Sequence, residues 1–281
     1  MDKVLIAGST GYLGKYLVKQ LKLSDYYTVA LARDKSKLSC ISVFIDKIVE
    51  AHATRPKTLD GICKNIDIVV SSLGITRQKD GFSYMDVDYQ ANKNLLEEAK
   101  KQGVKKFIYI SVLNGDKLRS LKICQAKEKF VKELKKSGLD YCIIRPNGFF
   151  SDMAGFYNMA KSGRIFLFGD GRLKANPIHG KDLAKVCVNA ITWREKEIEV
   201  GGPETLTQNE IAQIAFEAAG ERPRITHIPE WVGATLSKAA RFLFGPAKYA
   251  PIEFFMSVMS MEMVAPEFGN HTLKDFFLNE V

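Results

Sequence analysis

The chain has 281 residues, enough for one large α/β domain with a modest appendage. Hydrophobic residues make up 46% and charged residues 26%, the balance of an ordinary globular protein; no uncharged apolar run reaches the roughly 18 residues a membrane-spanning helix needs. The 41 Lys and Arg outnumber the 32 Asp and Glu to give +9, yet the lysines fall mostly as helix-end pairs such as Lys100-Lys101 and Lys135-Lys136, without interleaved aromatics. That pattern reads against a nucleic-acid partner and for a solvated basic surface that attracts anionic ligands. Cys40, Cys63, Cys124, Cys142 and Cys187 are odd in number and lack paired spacing. They are expected to be free thiols in a reducing compartment, the cytoplasm, and not a disulfide frame or metal site. Met1-Asp2-Lys3 leads directly into the first strand, with no signal peptide expected.

Lys3 to Ala7 is a mostly apolar run ending at a glycine, as a buried parallel strand does. It feeds Gly8-Ser9-Thr10-Gly11-Tyr12-Leu13-Gly14, and a helical pattern with Leu13, Leu17, Val18 and Leu21 follows without a break. In such a strand–turn–helix unit the glycines do different jobs. Gly8 permits the turn, Gly11 lets a dinucleotide pyrophosphate approach the backbone, and Gly14 lets the helix close on the sheet. The pyrophosphate would sit on the N–H groups of the helix start, which brings Thr10, Tyr12 and Leu13 into the cofactor-binding set.

Tyr27 to Ala32 is a second strand, a third falls within Ile45 to Ala51, and a helix is predicted from about Pro56 to Lys64. Asp67 to Ser71 is the fourth strand, and Tyr89 to Gln102 is a helix that stops at Gly103. Phe107 to Ser111 is the fifth strand, followed by a helix from about Lys122 to Lys136 and a sixth strand, Tyr141 to Arg145, ended by Pro146. Strands alternating with helices define an α/β fold with a doubly wound, parallel Rossmann-type sheet. Ligands of such sheets bind beyond the carboxyl ends of the strands. Those ends carry Gly8, Arg33, Ser71-Ser72-Leu73-Gly74, Ser111 and Pro146-Asn147-Gly148-Phe149. Beyond Pro146, glycine-marked turns and short helices at about Asp182 to Ile191 and Gln208 to Ala219 are expected. Residues 1–150 then form the NAD(P)-binding core, and 151–281 a substrate-side lobe of the same structural domain.

The end of the second strand selects the cofactor. An acid there would hold an adenosine ribose 2′-hydroxyl and favour NAD, whereas this chain places Arg33 there, with Lys35 and Lys37 just behind. A guanidinium fork with a nearby ammonium suits a 2′-phosphate. Arg33 and Lys37 therefore point to NADP. Asp34, beside Arg33, leaves NAD open as a second cofactor.

With these residues the chain resembles the atypical short-chain dehydrogenases/reductases of the NmrA-like group, near its divinyl-reductase-like and complex I accessory-subunit-like members. The resemblance spans essentially the whole length. It rests on Gly8 to Gly14, Ser71 to Gly74, Asp88-Tyr89-Gln90-Ala91-Asn92, Phe107 to Ser111, Ala126-Lys127-Glu128, Arg145 to Phe150, Asn176 to His179 with Asp182-Leu183-Ala184, and Phe268 to Leu273. Typical members carry Tyr-x-x-x-Lys and a serine at the end of the fifth strand; the tyrosine moves the proton, the lysine holds the nicotinamide ribose, and the serine orients the substrate carbonyl. The resemblance thus implies Ser111 and Lys127 as catalytic residues that also touch the cofactor. The tyrosine position, four before Lys127, is Ile123, which has no proton to give.

Three readings follow. The leading one is a reductase of a conjugated or lipophilic substrate of unknown identity, whose proton comes from Lys127, a loop residue or the substrate side. Tyr84, Tyr157 and His179 are the loop candidates, each with an ordinary packing or turn-ordering alternative. The second is a non-catalytic NADP binder acting as redox sensor or assembly factor with a protein partner, and the third keeps the cofactor for stability alone. If turnover exists, the substrate is expected over the nicotinamide, between Ser111 with Lys127 and the Asn147–Phe156 stretch with the C-terminal aromatic lobe. Phe149, Phe150, Met153 and Phe156 would form an apolar pocket wall or simply core. Trp231, Val232, Thr235, Leu236, Ala239, Phe242 and Leu243 share one helical face beside Lys238 and Arg241, a pattern that fits peripheral contact with an anionic membrane or packing on the sheet.

Overall fold

The computed structural model describes residues 1–75, 81–229, 231–232 and 246–281. In chain order the elements are β1 (Lys3–Ala7), α1 (Tyr12–Leu23), β2 (Tyr27–Ala32), β3 (Lys47–Glu50), β4 (Ile68–Ser71), α2 (Asn92–Lys101), β5 (Lys106–Ile110), α3 (Lys122–Lys135) and β6 (Asp140–Pro146). Then come α4 (Phe150–Lys161), β7 (Ile165–Phe168), β8 (Lys174–Ala175), α5 (Gly180–Asn189), β9 (Glu197–Val200), β10 (Leu206–Thr207), α6 (Gln208–Ala219), β11 (Ile225–Ile228), α7 (Pro246–Met259) and α8 (Leu273–Asn279). They fall into two compact units. One comprises Met1–Arg145 with Leu183–Ile198, the other Pro146–Asp182 with Glu199–Val281.

The first unit is built on a seven-stranded sheet in the order β3-β2-β1-β4-β5-β6-β9. From β3 to β6 every pair is parallel, with Val4 opposite Thr28 on one side and Ile68 on the other. The amides of Ile143 and Asn147 donate to the carbonyls of Lys196 and Val200, so β9 advances in the same direction. The order reverses at β1, where the chain leaves β3 and returns as β4, and this switch point opens a crevice beyond the strand ends. Val4, Leu5, Ile6 and Ala7 are fully buried, as a strand covered on both faces requires, and α1 buries Leu13, Leu17, Val18 and Leu21 against the sheet.

Two elements differ from the sequence reading. The helix expected over Pro56 to Lys64 is only a short 3₁₀ turn, Pro56–Leu59. Its backbone is held by other partners: Thr58 Oγ1 bonds the carbonyls of His52 and Arg55, Gly61 has a φ of +75°, and the Gly61 amide donates to Glu98 Oε1 at 2.8 Å. The helix expected from Tyr89 begins instead as a π-helical turn, Met85–Ala91, which leads into α2. That wider turn buries Asp88 and Asn92.

In the second unit α4, α6 and α8 share a core of Phe150, Met153, Phe156, Ile211, Phe216, Phe276 and Phe277. The small parallel pair β7–β11 and the antiparallel pair β8–β10 flank it. A capping box of Thr207 and Glu210 starts α6, and Gly220, at φ +68°, ends it. Of the segment from Pro229 to Phe244 only Pro229, Trp231 and Val232 are described, so the amphipathic membrane pattern lies outside the described residues.

Candidate functional site

The loop after β1 shows why its glycines are there. Gly8 has a φ of +88°, and a Cβ on it would lie 2.6 Å from Ser72 Oγ and 2.9 Å from the Ser72 carbonyl oxygen. A Cβ on Gly14 would lie 2.0 Å from the Gly8 carbonyl oxygen, so only glycine lets α1 close on the turn. Gly11 is different: it is exposed, and the nearest atom to its Cβ position is Gly8 O at 3.3 Å. Gly11 caps α1 without a side-chain hydrogen bond, and no acid sits in the first turn. An open glycine edge at an uncapped helix start is a cradle for a pyrophosphate. The loop after β4 is tied alongside, because Ser72 donates through its amide and its hydroxyl to the Ala7 carbonyl.

At the end of β2, Arg33 and Lys37 are exposed. Asp34 is drawn into the local turn: its Oδ1 accepts from Ser36 N–H at 2.9 Å and Ser36 Oγ at 2.6 Å, capping the 3₁₀ helix Lys35–Phe44. These bonds, with Lys37 nearby, hold its carboxyl below the usual range. Two basic groups that sequence reading did not single out join Arg33. Burial depresses the His52 pKa, and the charges of Arg55 and Arg33 push it down further. Only the return of β3 beside β2 brings these groups together.

Ser71 to Gly74 is organised by a buried polar cluster. Ser71 Oγ donates to Asn92 Oδ1 at 2.5 Å, and Asn92 Nδ2 donates to the carbonyls of Leu73, Val87 and Asp88. Asp88 is fully buried; its Oδ2 accepts from Ile75 N–H at 3.2 Å, and its Oδ1 lies 2.9 Å from Lys127 Nζ. A Cβ on Gly74 would meet both, at 2.8 Å from Asp88 Oδ1 and 3.0 Å from Lys127 Nζ. Burial works against the Lys127 cation, but Tyr109 and then Asp88 outweigh it and hold its pKa above the ordinary lysine value. Burial raises the Asp88 pKa while Lys127 lowers it. The Asp88 carboxyl stays raised on balance, and the 2.9 Å contact ties it to the lysine.

Ser111 has other company. Its Oγ lies 3.5 Å from both Glu128 Oε1 and Arg145 Nη1, beside the two-pronged Arg145–Glu128 pair at 2.6 and 3.2 Å. Lys127 is thus bound up with Asp88, and Ser111 with Arg145 and Glu128. Ile123 is buried in α3. Of the substitute proton donors, Tyr84 and His179 are buried and Tyr157 is half-buried. Tyr84 is buried, and desolvation, with Asp88 and Cys124, pushes its hydroxyl up to about 12. Tyr157 stacks on Phe277 at 5.6 Å. His179 accepts from Lys181 N–H at Nδ1, pairs with Glu280 at 3.0 Å and stacks on His271 at 4.6 Å.

The stretch Pro146 to Phe149 lies at the start of the second unit. Asn147 is buried there: its amide nitrogen donates to Asn176 Oδ1 at 2.9 Å and to the Met263 carbonyl, and its oxygen accepts from Gly148 N–H. Phe149 bridges to Ile178, while Phe150, Met153 and Phe156 belong to the core. Sequence reading had quoted Asp88 and Asn92 only as part of a motif and missed their role. Their signal was two polar side chains four apart, one helical turn, on the face that should be apolar.

A doubly wound sheet with a glycine cradle at its switch point defines a dinucleotide-binding protein of the short-chain dehydrogenase/reductase type. The sequence pattern of the family described as NAD(P)H-binding matches residues 8–193. The divinyl chlorophyllide a 8-vinyl-reductase of Arabidopsis thaliana is 30% identical, over 98% of this chain and 75% of that protein. The photosystem II assembly factor Ycf39 of Synechocystis sp. is 27% identical, over 85% of this chain and 74% of its own. Among solved structures, the NADPH complex of the Escherichia coli quinone oxidoreductase QOR2 superposes with a TM-score of 0.77 over 98% of both chains at 17% identity, a likeness of fold. The chain belongs to the NAD(P)H-binding family and is an atypical short-chain dehydrogenase/reductase-like protein.

Proposed function

We propose that the protein binds NADP in preference to NAD and uses NADPH to reduce a conjugated double bond in a lipophilic small molecule. The observation that carries the cofactor choice is the pairing of roles at the end of β2. Asp34 caps the following 3₁₀ helix through Oδ1, and the charges of Arg33 and Arg55 both act on His52 at the same strand end. Bound NADPH would supply the hydride. The Gly8–Gly14 loop would hold the pyrophosphate, Ser71–Gly74 the neighbouring backbone, and Lys127 the ribose. Ile123 leaves no acid for ordinary carbonyl reduction, and a polarised carbon–carbon bond needs less help of that kind. The Arabidopsis relative, named for reduction of a vinyl group on a pigment, supports this substrate class. Five free cysteines suit a reducing compartment such as the cytoplasm, and no helix among the described residues is long and apolar enough to cross a membrane.

A second reading has its own observation. Lys127 is held by a buried aspartate, and Tyr84 and His179 are buried, as a non-catalytic NADP sensor or assembly factor would tolerate. The relative named as an assembly factor supports it. Two measurements test the proposal. Calorimetric titration is expected to show NADPH bound more tightly than NADH, with Arg33→Ala losing about 10- to 100-fold for NADPH only; equal wild-type affinities overturn the cofactor choice. NADPH consumption with a panel of conjugated lipophilic acceptors is expected. A protein that binds NADPH and consumes none with any of them is the sensor.

A further inference from the structure

The Asp88–Lys127 pair has an asymmetry that bears on its use. Lys127 keeps 12% of its side chain open, and Asp88 keeps none. The anion lies beneath, tied to the Ile75 amide at 3.2 Å, and the cation lies against Gly74 in the loop that follows β4. A surface lysine salt bridge contributes little, because water competes for both partners. Here one partner is out of water altogether, so the lysine is held in place and stays charged.

We propose that Asp88 is a positioning residue for the cofactor: it fixes Lys127 as a permanent cation against the Ser71–Gly74 loop, where the ammonium donates to the ribose of a bound nicotinamide dinucleotide. The inference rests on the nicotinamide-binding reading above. It assigns the lysine a task compatible with Ile123. In a Tyr-x-x-x-Lys site the lysine tunes a phenol; here its charge is balanced by a carboxylate and its remaining donors serve binding alone. Lys127 is not the missing proton donor. Three groups face it: Asp88 from the π-helical turn, Tyr109 from β5, and Cys124 from its own helix. Glu128 is neutralised by Arg145. Tyr109 is fully buried, with Lys127 Nζ 5.7 Å from its ring centroid, so its hydroxyl does not reach out to a ligand. Asp88 is the only carboxylate in contact with the lysine among the described residues.

The test reads the lysine's charge directly and through the cofactor. Acetic anhydride labelling of the apo protein, followed at Lys127 by peptide mass spectrometry, is run from about pH 7 to about pH 10. Wild type is expected to protect Lys127 throughout. Asp88→Asn leaves a buried ammonium without its counter-ion, which lowers its pKa, so labelling begins at lower pH. Over the same range the Asp88→Asn protein is expected to lose about 10- to 100-fold in NADPH affinity, increasingly as pH rises. If the single variant is too unstable to titrate, the Lys127→Met background settles the matter, since adding Asp88→Asn there leaves no unpaired charge. Adding it to Lys127→Met should cost no further affinity. Additive losses, or an Asp88→Asn protein with wild-type labelling and wild-type NADPH affinity, overturn the proposal. A wild type that binds neither dinucleotide removes the cofactor reading itself; the labelling profile then judges the Asp88–Lys127 link, and an unchanged profile overturns that as well.

Discussion

Arg145 and Glu128 put two opposite charges into the interior of the first unit, with side chains 8% and 5% exposed. Desolvating each ion is costly, and the two-pronged contact at 2.6 and 3.2 Å offsets that only while both partners are present. Glu197 adds a third contact at Arg145 Nε, 3.1 Å away. Arg145→Met should therefore cost about 3–5 kcal/mol in urea unfolding, and the double variant Glu128→Met/Arg145→Met far less. A single variant as stable as the double contradicts this account. Such pairing is also where reading the sequence fell short. Gly8, Gly11 and Gly14 were legible because their spacing encodes a local turn. Arg145 with Glu128, Lys127 with Asp88, and Arg33 with His52 join residues that the fold brings together from separate parts of the chain. The local pattern can mark a buried polar position such as Asp88, but not the partner it will meet. Ser111 and Lys127 were found through the family motif, and their separate partnerships became visible only in three dimensions.

At the level of elements the strands were legible because parallel strands buried on both faces are short apolar runs, as β1, β2 and β5 show. Helix α6 was read residue for residue because Thr207 and Gly220 mark its two ends. The Pro56–Lys64 helix does not form because Thr58 Oγ1 donates to the carbonyls of His52 and Arg55 and the Gly61 amide is taken by Glu98, which overrides local propensity. The ends of α5 and α8 carry a further consequence. His179, just before α5, is buried and bonds to Glu280 just after α8, while His271 binds Asp182 at 2.9 Å. Burial lowers the His179 pKa; His271 lowers it further, and Glu280 resists. A histidine whose folded pKa lies below its unfolded value, about 6.5, binds fewer protons when folded. Its contribution is fully present above that pH and is lost as pH falls below it. Asp182, held low by His271 and two backbone amides against its own desolvation, acts in the same sense at still lower pH. The melting temperature should therefore fall between about pH 6.5 and about pH 5. His179→Gln should flatten that slope. A wild-type slope unchanged in the variant would assign the acid sensitivity to other groups.

On the scale of the whole molecule, the first unit is discontinuous: Met1–Arg145 is completed by Leu183–Ile198. The second piece supplies contacts that the first cannot replace. Leu183, Ala184, Val186, Cys187 and Ala190 are buried, and Lys106, itself buried, donates from Nζ to the carbonyls of Ile191 at 3.3 Å and Trp193 at 2.5 Å. The Ile143 amide pairs with Lys196, and Arg145 with Glu197. A fragment ending at Arg145 would still hold Gly8 to Gly14, Arg33, Ser71 to Gly74, Ser111, Lys127 and Asp88, the whole of the first unit's proposed cofactor set. It would also carry a bare apolar sheet face, an open edge on β6 and a Lys106 ammonium that keeps Asp140 at 3.6 Å but loses its two carbonyl acceptors. Losing the burial of these apolar side chains alone costs several kcal/mol, a large share of the roughly 5–15 kcal/mol that stabilises a domain. The fragment 1–145 is therefore expected to lack a cooperative melting transition and to leave NADPH fluorescence unchanged, while the full chain binds. A folded fragment that binds NADPH would show that residues 183–198 only decorate the sheet.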